Sequence, residues 1–161
     1  VEEISAQQIN DVSVSSTKIR NSLLEGNISL ANAYLGYPYV VTGNVVTGNQ
    51  LGRTIGFPTA NIEIPEDYKL IPKNGVYIVT AYVNNQTFSG MMNIGVKPTL
   101  GENKLSVEAH LLNFDKDIYN QKIQINILER LRDEQKFDSF DALKSQLEVD
   151  KQNTIRYFEN L

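Results

Sequence analysis

Two short stretches of the sequence hold residue types that could do chemistry. The first is GRTIGFPTAN, which places a threonine hydroxyl and an asparagine amide two residues apart. On an extended segment, Thr59 and Asn61 share a face, and their neutral oxygens suit Mg²⁺, which takes oxygen ligands while bridging substrate phosphates. From these residues alone, an ordinary strand face with two polar residues is the favoured interpretation, and the metal site is the alternative.

The second stretch is SVEAHLL, which alternates as a strand does. If Val107, Ala109 and Leu111 face the core, Glu108 and His110 face elsewhere. A lone glutamate on a strand is usually solvated, but in a cleft at the end of a closed barrel Glu108 could accept a proton from an attacking hydroxyl. His110 could tune that glutamate, although a structural role is the favoured interpretation.

A glycine-rich loop precedes the first stretch. Gly43, Gly48 and Gly52 surround a loop that ends at Arg53, and glycine lets a backbone approach a phosphate with its N–H groups turned inward. The spacing matches neither a Walker A loop nor a dinucleotide-binding fingerprint. A hairpin turn is therefore the favoured interpretation of the glycines alone.

Composition excludes several classes of protein. The chain has 161 residues, which suits one domain, and 41% apolar residues, which suffice for a core. A net charge of −4 argues against binding of duplex nucleic acid. The absence of cysteine removes disulfides and thiolate chemistry, and a single histidine cannot build a multi-histidine metal site. With no secretion signal pattern and no apolar run of roughly 20 residues, we expect a cytoplasmic location and no membrane contact.

The residue pattern predicts helices at both ends of the chain. Ser15 to Thr17 can cap a short helix that ends near Gly26, and Ser29 can open a second that ends at Gly36. At the other end, Ser139 can cap a longer helix. Its expected apolar face comprises Phe140, Leu143, Leu147, Ile155 and Phe158.

Between these helices, apolar residues tend to recur at every second position. Six stretches read as strands, and Asn84-Asn85 can form a tight hairpin turn between two of them. No helical stretch lies between successive strands, which favours an antiparallel sheet closed into a barrel.

Four stretches, taken in order, resemble the riboflavin kinase family: GRTIGFPTAN, NIGVKPT, VEAHLLNF and LRDEQKF. The match is to the C-terminal kinase domain of the bacterial bifunctional riboflavin kinase/FMN adenylyltransferase, and it covers almost the whole chain. It implies a mainly β fold, a six-stranded antiparallel Greek-key barrel with a long C-terminal helix and short N-terminal helices packed outside. The implied reaction transfers the γ-phosphoryl group of ATP to the riboflavin 5′-hydroxyl.

The resemblance also implies an ATP site. Gly48, Gly52 and Arg53 would cover the ATP phosphates. Thr59 and Asn61 would hold Mg²⁺ together with those phosphates, which reverses the interpretation drawn from the residues alone. Apart from Mg²⁺ with ATP, no tightly bound cofactor is expected.

For the acceptor side, Glu108 resembles the catalytic base. The implied flavin-binding residues are Asn93, Arg132, Glu134 and Phe137, the last three in a flap that closes over the isoalloxazine ring.

Two asparagines depart from the family pattern, and one motif stands apart from the kinase. Asn113 lies where aspartate is often found, and Asn120 lies where glycine is common. VSSTKIR resembles the last motif of the family's adenylyltransferase domain. We therefore assign residues 1–36 to a remnant of that domain with its linker, and 37–161 to the kinase domain, with the N-terminal adenylyltransferase half expected only in a longer parent chain.

Two rival functions stay open from the sequence. A flavin-binding module without catalysis would tolerate loss of Glu108 or Thr59, and both are present. A barrel that binds single-stranded nucleic acid needs aromatic platforms in a basic groove, and this chain has no evident basic stripe.

Overall fold

The computed structural model describes residues 6–46, 56–65, 70–99, 101–114 and 118–161. The predicted phosphate-loop residues Gly48, Gly52 and Arg53 lie outside these ranges.

Six strands close into one barrel, as the pattern of period two predicts. Around the barrel their order is β1-β2-β5-β4-β3-β6, and every neighbouring pair is antiparallel. The strands are β1 (Tyr39–Val46), β2 (Ala60–Glu63), β3 (Gly75–Val83), β4 (Gln86–Thr99), β5 (Glu102–Leu111) and β6 (Lys122–Arg132).

Side chains that point inward fill the barrel. On β3, Tyr77, Val79 and Ala81 are wholly buried, because alternate residues of a strand face the same side. They pack with inward residues of the other strands in one continuous core, which also includes Met92, Ala109 and Ile125 among others. The barrel is therefore a packed core rather than an open channel.

Asparagine supplies the left-handed turns between strands. Asn84 and Asn85 have φ values of 55° and 63°, so the predicted hairpin turn between β3 and β4 is confirmed. Asn113 and Asn120 also have positive φ, 56° and 65°. Asparagine is the residue after glycine that best tolerates this region, so Asn120 can occupy a turn in which glycine was the expected residue.

Three helices are described: α1 (Ala6–Glu25), α2 (Ile28–Leu35) and α3 (Phe140–Glu159). The start predicted for α1 is wrong, because Ser15 to Thr17 lies inside a helix of 20 residues. The cap predicted for α2 is also wrong, since Asn27 rather than Ser29 accepts the hydrogen bond from Leu30 N. None of the helices in the described ranges is long and apolar enough to cross a membrane.

The first two helices pack directly onto the barrel. Leu23, Ile28 and Ala31 belong to the same buried core as the strands. Asn32 joins the two parts: its Nδ2 donates to the Ile127 carbonyl at 2.8 Å, and its Oδ1 accepts from Tyr39 N at 2.9 Å. One side chain thus satisfies a carbonyl of β6 and the first amide of β1.

Helix α3 begins where the sequence predicts. Ser139 Oγ accepts from Ala142 N at 3.1 Å, a standard N-cap. Phe140 was expected on the apolar face but is 59% exposed, so that assignment is wrong. The covered stripe runs instead through Leu143, Leu147, Asp150 and Thr154, and the last two are buried.

His110 holds the short segment that leads into β2. Its Nδ1–H donates to the Pro58 carbonyl at 2.7 Å, and its ring lies 5.3 Å from the buried Phe57 ring. Burial lowers the pKa of His110, the hydrogen bond to Pro58 partly opposes that shift, and the nearby Lys151 lowers the pKa further. The lowered pKa favours the neutral imidazole, which bonds to the carbonyl just before Thr59.

Replacing Asn32 by alanine should lower the free energy of unfolding by about 1–3 kcal/mol, because a carbonyl and an amide at the helix–barrel junction lose their partner. Urea unfolding followed by circular dichroism measures this. Asn21→Ala, at an exposed position of α1, is the matched control and should change stability by less than about 0.5 kcal/mol. Equal effects of the two substitutions would contradict the bridging role.

Protonation of His110 should destabilise the fold. Because its pKa is lowered below 6.5 in the folded state, the unfolded chain binds more protons there, and stability falls as the pH drops through and below about 6.5. His110→Gln cannot titrate, so its stability should fall less than that of the original chain between pH 7.5 and pH 5.5. Urea unfolding at a series of pH values measures the difference, and parallel curves for the two proteins would refute the assignment.

Candidate active site

One row of residues crosses five neighbouring strands of the barrel. Asn61 on β2 pairs with Glu108 on β5, which pairs with Asn93 on β4. Asn93 pairs in turn with Val76 on β3, and Val76 pairs with Arg132 on β6. Directly paired residues carry their side chains on the same face, with Cβ atoms about 4.5–5.5 Å apart. The backbone register therefore brings Glu108 between two amide side chains.

This row faces out of the barrel. The adjacent row contains Ala109, Met92 and Tyr77, which pair with one another and are buried in the central core. Since neighbouring residues on a strand alternate in direction, Glu108 and its partners point away from that core. The sequence led us to expect a cleft at the barrel end, whereas the structure builds the site on the outer wall.

A cavity of about 270 Å³ lies over this outer wall, between the strands and α3. Its apolar lining includes Phe57, Val76, Met91, Leu143 and Leu147. Its polar lining comprises Thr59, Asn93, Glu108, His110, Arg132, Glu134, Gln135 and Asp150, with Phe137 at the same wall.

Of the ten site residues that the family resemblance implied, six meet in this cavity: Thr59, Asn93, Glu108, Arg132, Glu134 and Phe137. Asn61 stands beside Glu108 in the sheet rather than on the cavity wall. The three phosphate-loop residues fall outside the described ranges, so their position relative to the cavity stays a prediction.

A β-bulge decides which arginine enters the cavity. Arg130 and Arg132 are two residues apart and would share a face on a regular strand, but they pair with the consecutive residues Tyr77 and Val76. The extra residue between the pairs turns the two arginines to opposite sides, as bulges do. Arg132 reaches the cavity, while Arg130 lies near the Tyr77 ring and bonds Asn74 O and Asp133.

The cavity holds a buried ion pair that the sequence analysis missed. Asp150 is 1% exposed. Its carboxylate accepts from Arg132 Nε at 3.0 Å and Nη2 at 2.8 Å, and from Gln146 Nε2 at 2.9 Å. The available signal was a carboxylate on the apolar stripe of an amphipathic helix, at position i+7 from Leu143.

Two further features indicate how closely this wall is built. A Cβ on Gly95 would lie 2.0 Å from Glu134 Oε1, so the glycine leaves room for that carboxylate to lie over β4 in this position. Within the described part of the chain, Asn93 Oδ1 is buried and has no hydrogen-bond partner. A buried acceptor without a partner costs about 1–3 kcal/mol, and a ligand donor in the cavity would satisfy it.

The donor set determines what metal the site can take. Among the described residues there is no group of three or more histidine or acidic side chains that could hold a metal ion. The hydroxyl of Thr59, just before β2, the amide of Asn61 on β2 and the carboxylate of Glu108 on β5 all offer oxygen atoms in the same region of the sheet. These atoms fit a hard cation such as Mg²⁺ that keeps water and phosphate oxygens as its other ligands.

Known proteins resemble the chain along most of its length. A family model for riboflavin kinase, also described as flavokinase, matches residues 35–158. The bifunctional riboflavin kinase/FMN adenylyltransferase of Bacillus subtilis is 43% identical over 164 residues, covering 100% of this chain and 51% of the relative. The chain thus spans about half the length of the curated relatives it matches.

Two solved structures share the fold. A crystal structure described as a macrolide-efflux protein from Streptococcus pneumoniae superposes with a TM-score of 0.81 and 39% identity, over 86% of this chain and 45% of that one. Riboflavin kinase from Trypanosoma brucei superposes with a TM-score of 0.54 and 28% identity, over 76% of this chain and 80% of that one. With the family match over the whole barrel and α3, the chain belongs to the riboflavin kinase family.

Proposed function

We propose that this chain catalyses transfer of the γ-phosphoryl group of ATP to the 5′-hydroxyl of riboflavin, which gives FMN and ADP. One observation carries the chemistry: Glu108 lies between two amides in the sheet and opens onto a cavity that is largely apolar. A carboxylate beside an apolar pocket suits a hydroxyl attached to an aromatic ligand.

Glu108 is assigned as the base. Its carboxylate orients the riboflavin hydroxyl and takes its proton as the oxygen bonds to the γ-phosphorus. The bond from that phosphorus to the β,γ-bridging oxygen breaks, and ADP leaves with the electron pair. Because the transition state of phosphoryl transfer is loose, positioning and charge neutralisation dominate over the strength of the base.

Thr59 and Asn61 are assigned to Mg²⁺ and the ATP phosphates. Bound Mg²⁺ would neutralise charge that develops on the phosphate oxygens. The contact from His110 to Pro58 fixes the backbone just before Thr59, which supports a defined position for this residue before nucleotide binds. Gly48, Gly52 and Arg53 are assigned to cover the phosphates, on family resemblance alone.

The apolar part of the cavity is assigned to the isoalloxazine ring. Phe137 and the α3 leucines offer apolar surface, while Asn93, Arg132 and Glu134 offer polar groups that can pair with the ring edge. The buried unpaired Asn93 Oδ1 supports a contact with a ligand N–H or O–H group.

We further propose that the parent protein is bifunctional and adenylylates FMN to FAD in an N-terminal half. Residues 1–36 would be the end of that half and its linker. The relatives of about twice this chain's length support the proposal, and a cytoplasmic site of action fits a pathway that uses ATP.

The direct test supplies riboflavin and ATP with and without Mg²⁺ and separates the flavins by chromatography. FMN that appears only with Mg·ATP supports the kinase. Flavin that is retained by the protein but unchanged would favour the non-catalytic binding module instead.

Replacing Glu108 by glutamine should lower kcat by about 10²–10⁴-fold, because the amide cannot take the proton, while ATP affinity is kept. Steady-state kinetics and nucleotide titration measure the two effects. Glu63→Gln, at the exposed end of β2, is the control and should leave both unchanged. Unaltered turnover in Glu108→Gln would remove this residue from the mechanism.

Replacing Thr59 by alanine should weaken Mg·ATP binding by about tenfold, the loss of one oxygen donor to a charged ligand, with a smaller effect on riboflavin. Titration calorimetry with Mg·ATP measures it. Thr87→Ala, at an exposed position of β4, is the matched control. Equal nucleotide affinity for the Thr59 variant and the original chain would contradict the assignment.

A further inference from the structure

We propose that Asp150 is a positioning residue for the flavin site. Acting through Arg132, it holds the segment Asp133–Phe137, here called the flap segment, as the wall of the cavity opposite the sheet. This inference rests on the proposed function. One of the measurements that test it needs no substrate and is independent of that function.

The carboxylate of Asp150 is committed to protein donors rather than left open to a ligand. Arg132 Nε lies 3.0 Å from both of its oxygens, Arg132 Nη2 lies 2.8 Å from Oδ2, and Gln146 Nε2 lies 2.9 Å from Oδ1. The side chain of Asp150 is 2% exposed and that of Arg132 is 19% exposed. A fork of this kind fixes the plane of the guanidinium as well as its position.

The fixed guanidinium then contacts the flap segment at two points. Its Nη1 donates to the Asp133 carbonyl at 3.1 Å. Its carbon lies 5.8 Å from the centroid of the Phe137 ring, within the range of a cation–π contact. Arg132 therefore touches both ends of the flap segment, and Asp150 sets where Arg132 lies.

The anchor itself is rigid. Asp150 lies in the middle of α3, and its backbone carbonyl accepts from the buried Thr154 Oγ1 at 2.8 Å. The same helix carries Leu143 and Leu147 into the cavity. The ion pair thus joins the helix wall and the flap wall of one pocket.

Loss of the Asp150 charge would redirect Arg132. Glu108 and Glu134 are the other carboxylates on the cavity wall within the described residues. Without its buried partner, the guanidinium would turn toward them, away from the Asp133 carbonyl and the Phe137 ring. The flap segment would lose both contacts while the ATP side of the site kept its own.

Asp150→Asn should therefore raise KM for riboflavin about tenfold, the loss of one charge-assisted hydrogen bond, and change KM for ATP by less than about twofold. Glu148→Gln, an exposed carboxylate on the same helix, is the matched control and should change neither. A purely structural role would lower the active fraction and affect both substrates alike, and that result would overturn the proposal.

A substrate-free measurement separates this inference from the proposed function. The sequence has no tryptophan, so Phe137→Trp adds a single fluorescent reporter to the flap segment. Adding Asp150→Asn should shift its emission to longer wavelength as the ring becomes exposed, and adding Glu148→Gln should not. If the original chain makes no FMN but the emission shifts, the proposed function fails and the positioning role stands; an unshifted emission overturns the positioning role.

A double-mutant cycle tests whether Asp150 acts through Arg132. In an Arg132→Gln background, Asp150→Asn should change riboflavin KM by less than about twofold, and a full tenfold rise there would overturn the proposal. If Asp150→Asn does not fold, Gln146→Ala replaces it in the test, because this substitution removes the other donor to Asp150. It should raise riboflavin KM by about threefold with ATP KM unchanged, and equal changes for both substrates would count against the proposal.

Discussion

Closure of the six strands into one antiparallel barrel is the constraint on which the rest of this structure depends. Closure pairs every strand on both sides, so the register of each strand is set by two neighbours at once. The described inward side chains, such as Tyr77 and Ile125, are large, apolar and buried, and they fill the inside of the barrel. The cavity described above lies instead over the outward row that includes Glu108, and that row has a separate cover.

The cover comes from α3 and the flap segment, which an arginine–carboxylate pair joins to the sheet. Removing two charges from water offsets much of their attraction, so such a pair is weak evidence for stability. Its geometry is more informative than its energy. Arg132 is the last residue of β6, and a bulge turns its side chain outward. Asp150 contacts it from α3, so β6, α3 and the flap segment meet at one point of the pocket.

Departures from simple sequence rules also have physical explanations here. Asn113 and Asn120 occupy left-handed turns, where asparagine and glycine are interchangeable at modest cost. Asn27 caps α2 in place of the expected serine, since both offer an oxygen to a free amide near the helix start. In each case the local requirement is a conformation or an acceptor, which more than one residue type can meet.

Local chemistry was enough to place the six strands, the Asn84-Asn85 turn, the Ser139 cap and the outward direction of Glu108, because period, turn type and capping depend on neighbours in sequence. Family resemblance pointed to Asn93, Arg132, Glu134 and Phe137, which line the cavity together with Glu108. The outer-wall location of the pocket, the opposite directions of Arg130 and Arg132, and the role of Asp150 needed the tertiary structure. These depend on which strands pair, where a bulge falls and which helix covers the sheet, and all three are set by contacts between residues far apart in the chain.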